Sequence, residues 1–187
     1  MKNQAIKILS LSLGLLLLAA GPKPAAGEVS EYAVKAAYLF NFTQFVRWPE
    51  GSLDDASPFV IGILGDDPFG AALDAAVQGK SSGGHSLKVK RLGGFSAGMG
   101  AKLAHCQVLF ISYSEKDQVK DILQALKGAA VLTVSEIDQF PVKGGVIQFD
   151  QEGQKITLTL NESAAKKAGL SVSSQLLQVA KLYKSEE

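Results

Sequence analysis

The 187 residues contain one cysteine, Cys106, and two histidines, His85 and His105. One thiol cannot bridge within its own chain, so no disulfide framework organises this fold. One cysteine and two histidines also fall short of the ligand sets of zinc and haem sites, and no cofactor is expected. An excess of one charge is missing too: 19 Lys and Arg stand against 18 Asp and Glu. No basic cluster marks a nucleic-acid surface, and Lys88, Lys90 and Arg91 read as the solvated side of a strand. Nor is there a serine elbow or a paired-carboxylate pattern beyond Asp66-Asp67. Gly62-Ile63-Leu64-Gly65-Asp66-Asp67 lacks the third glycine of the dinucleotide fingerprint and places two carboxylates where a phosphate would sit. Lys80-Ser81-Ser82-Gly83-Gly84 follows a helical segment instead of preceding one, so it is no phosphate loop. These absences leave none of the common catalytic signatures and point toward a binding or regulatory module.

The first 27 residues carry the only long apolar run. Lys2 and Lys7 precede an apolar stretch over 8–18, and the small residues Ala25, Ala26 and Gly27 follow. That order is the signature of a secretory signal peptide, with cleavage after Ala26 or Gly27. The run is too short to span a bilayer comfortably, and no cysteine follows it to take a lipid. Residues 28–187 are then one exported domain of ordinary size, with no membrane insertion of the mature chain. Removing Lys2, Lys7 and Lys23 leaves 16 basic and 18 acidic residues, a net charge of −2.

Periodicity in the remaining chain alternates between helix and buried strand. Ser30 caps a helix in which Val34, Tyr38, Phe42 and Phe45 share one face, and Pro49 ends it. Continuous apolar runs at 59–64, 107–112 and 129–134 predict buried strands, and 85–92 a further strand with a solvated face. Between them, Asp67 caps a helix through Leu73 and Val77. Ser114-Glu115-Lys116-Asp117 has the spacing of a capping box ahead of Val119, Ile122, Leu123 and Leu126. Segments 146–149 and 155–160 flank a Gly-containing loop and read as a hairpin. Asn161 caps a short helix, and Ser173 or Ser174 caps a last one carrying Leu176, Leu177, Ala180 and Tyr183. The expected fold is α/β: a single domain with a mostly parallel twisted sheet flanked by helices, in Rossmann-like or flavodoxin-like layers, with a C-terminal β-hairpin.

Candidate binding residues follow from that layout. Ligands of open parallel sheets sit beyond the carboxyl ends of the strands. Asp66, Asp67, Phe69, Ser112 and Ser135 fall there, and Phe140 opens the next loop. Asp66 and Asp67 also fit a turn and helix cap, and Phe69 and Phe140 also fit the core under their own loops. Cys106 leads into an apolar strand and reads as buried, with an interchain bridge as its alternative. A periplasmic small-ligand receptor and an exported hydrolase using Asp66, Asp67 or His85 are the competing functions.

Four segments, in order, carry a family resemblance. They are Val34-Lys35-Ala36-Ala37-Tyr38-Leu39-Phe40-Asn41-Phe42 with Phe45-Val46-Arg47-Trp48-Pro49; Ile61-Gly62-Ile63-Leu64-Gly65-Asp66-Asp67-Pro68-Phe69; Cys106-Gln107-Val108-Leu109-Phe110-Ile111-Ser112; and 131–135, Phe140, 144–149 and 168–177. The chain resembles the YfiR/HmsC-like family of periplasmic regulators. The resemblance implies a non-enzymatic repressor and homodimer. It would bind the periplasmic domain of an inner-membrane diguanylate cyclase, be antagonised by an outer-membrane lipoprotein, and control cyclic-di-GMP and biofilm. Some relatives carry disulfides; here Cys106 matches a family position and no second cysteine exists, so intrachain redox switching is excluded.

Overall fold

Helix α1 (Glu31–Phe45) begins where the sequence supplies its cap: the Ser30 hydroxyl accepts from the Ala33 N–H at 3.2 Å, and Glu31 suits the positive helix end. The computed structural model describes residues 30–184 except residue 55; the segment 1–27, expected to be a signal peptide, lies outside the described residues. After α1 come β1 (Val46–Arg47), β2 (Phe59–Leu64), α2 (Ala71–Val77), β3 (Ser81–Ser82), β4 (His85–Gly93), α3 (Gly100–Ala104) and β5 (Val108–Ile111). A 3-10 helix (Tyr113–Gln118) then leads into α4 (Val119–Ala125). The chain continues as β6 (Leu132–Ser135), β7 (Ile147–Glu152), β8 (Lys155–Leu160), α5 (Glu162–Lys167), β9 (Ser171–Val172), α6 (Ser174–Val179) and β10 (Lys181–Leu182).

Eight strands form one sheet in the order β10-β8-β7-β6-β5-β2-β4-β3. The five from β4 to β7 are parallel. Numbered by their appearance in the chain, they run 2-1-3-4-5, the flavodoxin-like order of a doubly wound sheet. The β7–β8 hairpin is antiparallel, and β10 adds outside it, parallel to β8. Separately, β1 pairs with β9, Val46 opposite Val172, which fastens the end of α1 to the C-terminal part of the chain.

Strand alternation sorts the core into two layers. Phe59, Ile61, Ile63, Val108, Phe110, Leu132, Val134 and Phe149 point to one face, against α1, α2, α5 and α6. Leu64, Leu109 and Ile111 point to the other, against Leu103 of α3 and Val119 and Ile122 of α4. Each fully buried Leu, Ile or Phe contributes about 1.5–3 kcal/mol by leaving water.

Several local expectations are corrected. The buried stripe of α1 is Lys35, Ala36, Leu39, Phe42 and Thr43, so Val34, Tyr38 and Phe45 sit only at its margin. The last helix stops at Val179, and Lys181-Leu182 turns to strand because β8 offers an unpaired edge. Helix α2 starts after Gly70, one turn later than an Asp67 cap would place it. Ser114 does not cap α4: its hydroxyl is taken by the Asp66 N–H across the sheet.

Candidate functional site

In a sheet of order 2-1-3-4-5, ligands bind between the first and third strands, beyond their carboxyl ends. Here those strands are β2 and β5, and the crevice between them is already filled. Glu115 is 5% exposed. Its carboxylate accepts from the Phe95 N–H at 3.2 Å and from Gln118 Nε2 at 3.1 Å. Ser114 Oγ accepts from the Asp66 N–H at 3.0 Å. A Cβ at Gly65 would stand 2.3 Å from Ser114 Oγ and 2.9 Å from Glu115, and φ there is +87°. Only glycine lets the two loops close this tightly. Backbone donors that would cradle a phosphate elsewhere serve an internal carboxylate and a hydroxyl.

Asp66 and Asp67 lie on the outer side of this closure. Asp67 Oδ1 accepts from the Phe69 N–H at 2.8 Å and closes the turn ahead of α2. Its other oxygen meets Arg91 Nε at 2.7 Å, and Arg91 also reaches Asp74 at 2.7 Å. Hydrogen bonds to Asp74 and Asp67 raise the Arg91 pKa, and the bond from Arg91 lowers that of Asp74. Asp66 is exposed, while Ser112 is buried at the end of β5. The structure therefore brings Asp66, Asp67 and Ser112 to one rim, where Asp67 acts as a turn cap and ion-pair partner.

A second group stands at the ends of β6 and β7. Lys35, 5% exposed along its side chain, meets Glu136 at 2.5 Å and pairs with Glu31 one turn earlier on α1. It also lies 4.7 Å from the centre of the Tyr32 ring, whose hydroxyl donates to Glu136 at 3.3 Å. Burial alone would lower the Lys35 pKa; the hydrogen bonds to Glu136 and Glu31 overturn this and the net shift is upward. Burial and the Glu136 charge raise that of Tyr32. These groups border a cleft of about 420 Å³ that also takes in half-buried Asp150 and exposed Tyr113 and Asp138.

Ser135, Phe69 and Phe140 turn out to be structural. The Ser135 hydroxyl donates to the Ile111 carbonyl at 2.7 Å and accepts from the Ile137 N–H at 3.1 Å. Phe69 is 4% exposed and stands edge-on to Tyr32 and Phe110. Phe140 is fully buried, and a Cβ on Gly145 would fall 2.1 Å from its ring. Of the two readings of these rings, as binding residues or as core, the burial corrects the first: each folds under its own loop. Cys106 is buried as expected, its sulfur above Gly62. Burial pushes its thiol up to about 11, against the pull of Lys90 and Lys102, so it is a weak nucleophile with no exposed route to a partner chain.

Sequence reasoning passed over Glu115, Lys35 and Glu136. A signal existed for one of them: Lys35 interrupts the apolar face of α1 four residues after Glu31. Its decisive partner is 101 residues away, which no local pattern reports.

With the fold in view, comparison with known proteins becomes informative. A conserved domain protein from Vibrio cholerae O1 biovar El Tor str. N16961 has a similar fold, with a TM-score of 0.55 at 13% identity. The match covers 83% of this chain and 60% of that one. At that identity the likeness is one of architecture. No curated protein matches the chain. A family model described as YfiR/HmsC-like matches residues 32–181, from the first turn of α1 to β10. The match takes in both β1 and β9, the two distant segments that the structure joins, and by its extent the chain belongs to the YfiR/HmsC-like family.

Proposed function

We propose that this protein is a periplasmic regulatory binding protein that represses a membrane-bound diguanylate cyclase. It would hold the cyclase's periplasmic sensor domain inactive and so lower cyclic-di-GMP and biofilm formation. The observation that carries the reading is the family match over residues 32–181, since YfiR/HmsC-like proteins are regulators in cyclic-di-GMP signalling. The geometry supports binding over turnover. Asp67, Ser135, Glu115 and Lys35 each spend their polar atoms on internal bonds, and the crevice that a cofactor would need is filled by Glu115. What faces solvent instead is a set of large apolar side chains, with Tyr113 52%, Val142 60% and Val179 68% exposed, which suit protein contacts. Export through the 1–27 segment, a homodimer and an antagonist lipoprotein of the outer membrane complete the proposal. Exposed Asp66 and Tyr113 are offered as part of the partner surface.

Deletion of the gene should raise cellular cyclic-di-GMP, and expression of the exported protein should restore it. An unchanged level across several growth conditions would sink the proposal. In a second arm, the purified protein should co-elute with the cyclase's periplasmic domain, and Tyr113→Ala should weaken that association without lowering the Tm.

A further inference from the structure

The two ends of the parallel strands carry cavities of opposite charge. The cleft at the carboxyl ends is lined by Glu31, Glu136, Asp138 and Asp150, and its one lysine, Lys35, is already paired. A cavity of about 330 Å³ lies at the other end, where β6 and β7 begin, between the end of α4, the 141–146 segment and α5. Among the described residues no Asp or Glu lines it. Its apolar wall includes Leu126, Val131 and Val146, all buried, and Val142, which stands 60% exposed at its opening.

The buried polar side chains inside, Thr133 and Asn161, are already satisfied. Thr133 Oγ1 accepts from the Val146 N–H at 3.1 Å. Asn161 donates to the Pro141 carbonyl at 2.9 Å and caps α5 through Ala164 at 2.9 Å. Toward solvent stand the hydroxyls of Ser163 and Tyr183 and two cations, Lys127 and Lys167, both exposed; among the described residues neither lysine forms an ion pair. An apolar wall whose buried polar side chains are satisfied, and a mouth bearing two unpaired ammonium groups beside two hydroxyls, selects one ligand chemistry: an apolar tail that ends in an anion.

We infer that this cavity binds a small free amphiphile of that kind, with its carboxylate at Lys127 and Lys167 and its hydrocarbon tail along Val142, Val146 and Leu126. The site is independent of the proposed repressor role and lies at the opposite end of the strands from the crevice that Glu115 fills.

Calorimetric titration of the purified exported protein with octanoate, octylamine and octanol, each below its aggregation threshold, tests this. Octanoate should bind and raise the Tm, and the amine and the alcohol should not. The exposed-site double variant Lys127→Glu/Lys167→Glu should keep the fold and lose at least about tenfold in octanoate affinity. It should also gain affinity for octylamine. Equal binding of octylamine and octanoate to the wild type, or octanoate binding unchanged in the double variant, would overturn the inference. So would tighter binding of an N-acetylated dipeptide ending in leucine, which would assign the cavity to a polypeptide carboxyl terminus.

Discussion

The two faces of the sheet solve the same covering problem with different materials. On the α1 side, aromatic rings run in sequence: Tyr32 to Phe69 at 5.5 Å, Phe69 to Phe110 at 4.8 Å, Phe110 to Phe149 at 6.4 Å and Phe149 to Phe42 at 6.0 Å. The other side is mostly aliphatic, with Phe140 its fully buried ring, and between β6 and β7 it has no helix; residues 136–146 form a strap instead. A helix satisfies its own backbone, whereas an irregular strap cannot, so the sheet beneath must supply partners. It does so through Thr133, Ser135 and Gln148, which accept from the N–H groups of Val146, Ile137 and Phe140. Phe140 then fills the remaining gap by lying on Gly145. Polar residues on a buried strand face here record a missing helix.

The largest expected effect separates the faces by dynamics. Phe140→Ala and Phe69→Ala should each cost about 3–5 kcal/mol in urea unfolding. Only Phe140→Ala should also speed hydrogen exchange at the Ile137 and Val146 amides. If Phe69→Ala did the same, the strap would not be an independent unit. Next in size, Lys35→Ala should cost about 3 kcal/mol, because it strands Glu136 beside the ring layer without its cation. A loss under about 1 kcal/mol, the range of exposed pairs, would show that the cluster is effectively solvated.

A finer test addresses the tethers themselves. Thr133→Val keeps the shape of the side chain and removes the acceptor of a buried N–H, at about 1–3 kcal/mol. Thr133→Ser should retain most of that stability, and a valine variant as stable as the wild type would contradict the tethering account. The smallest effect concerns the exposed pair at the rim. Arg91→Gln should cost less than about 1 kcal/mol at neutral pH. Asp74 has its pKa depressed in the folded state, so the stability it gains from Arg91 is present above the unfolded pKa of about 3.9. That contribution is lost as pH falls through the lower folded value. Acid unfolding curves of the variant and the wild type should therefore converge at the acid end and separate as pH rises.

Strands were the most legible part of this chain. Segment 59–64 coincides with β2 because a strand covered on both faces leaves an unbroken apolar run. The caps Ser30, Asn161 and Ser173 were readable because their hydrogen bonds span three residues. Errors arose where a distant partner outbid a local one. Ser114 has capping-box spacing and serves Asp66 instead. Lys181-Leu182 continues a helical pattern but takes the open edge of β8. Of the candidate site, position along the strand ends was legible and role was not. Asp66, Asp67, Ser112 and Ser135 do gather there, yet whether a hydroxyl faces solvent or a neighbouring carbonyl depends on contacts such as that between Ser135 and Ile111, 24 residues apart.

Glu115 in the crevice between β2 and β5 behaves as a ligand tethered to its own receptor. A group held on a short leash competes at an effective concentration on the order of millimolar, so a free anion would have to outbid it at every encounter. The same tether makes the crevice reopenable by a single replacement. Glu115→Gly removes the carboxylate plug and frees the Phe95 N–H, while the Ser114 hydroxyl stays on the Asp66 N–H and the Gly65 turn remains. A scaffold of this order can thus move between self-occupied and ligand-accepting forms through one side chain, without altering its strand order.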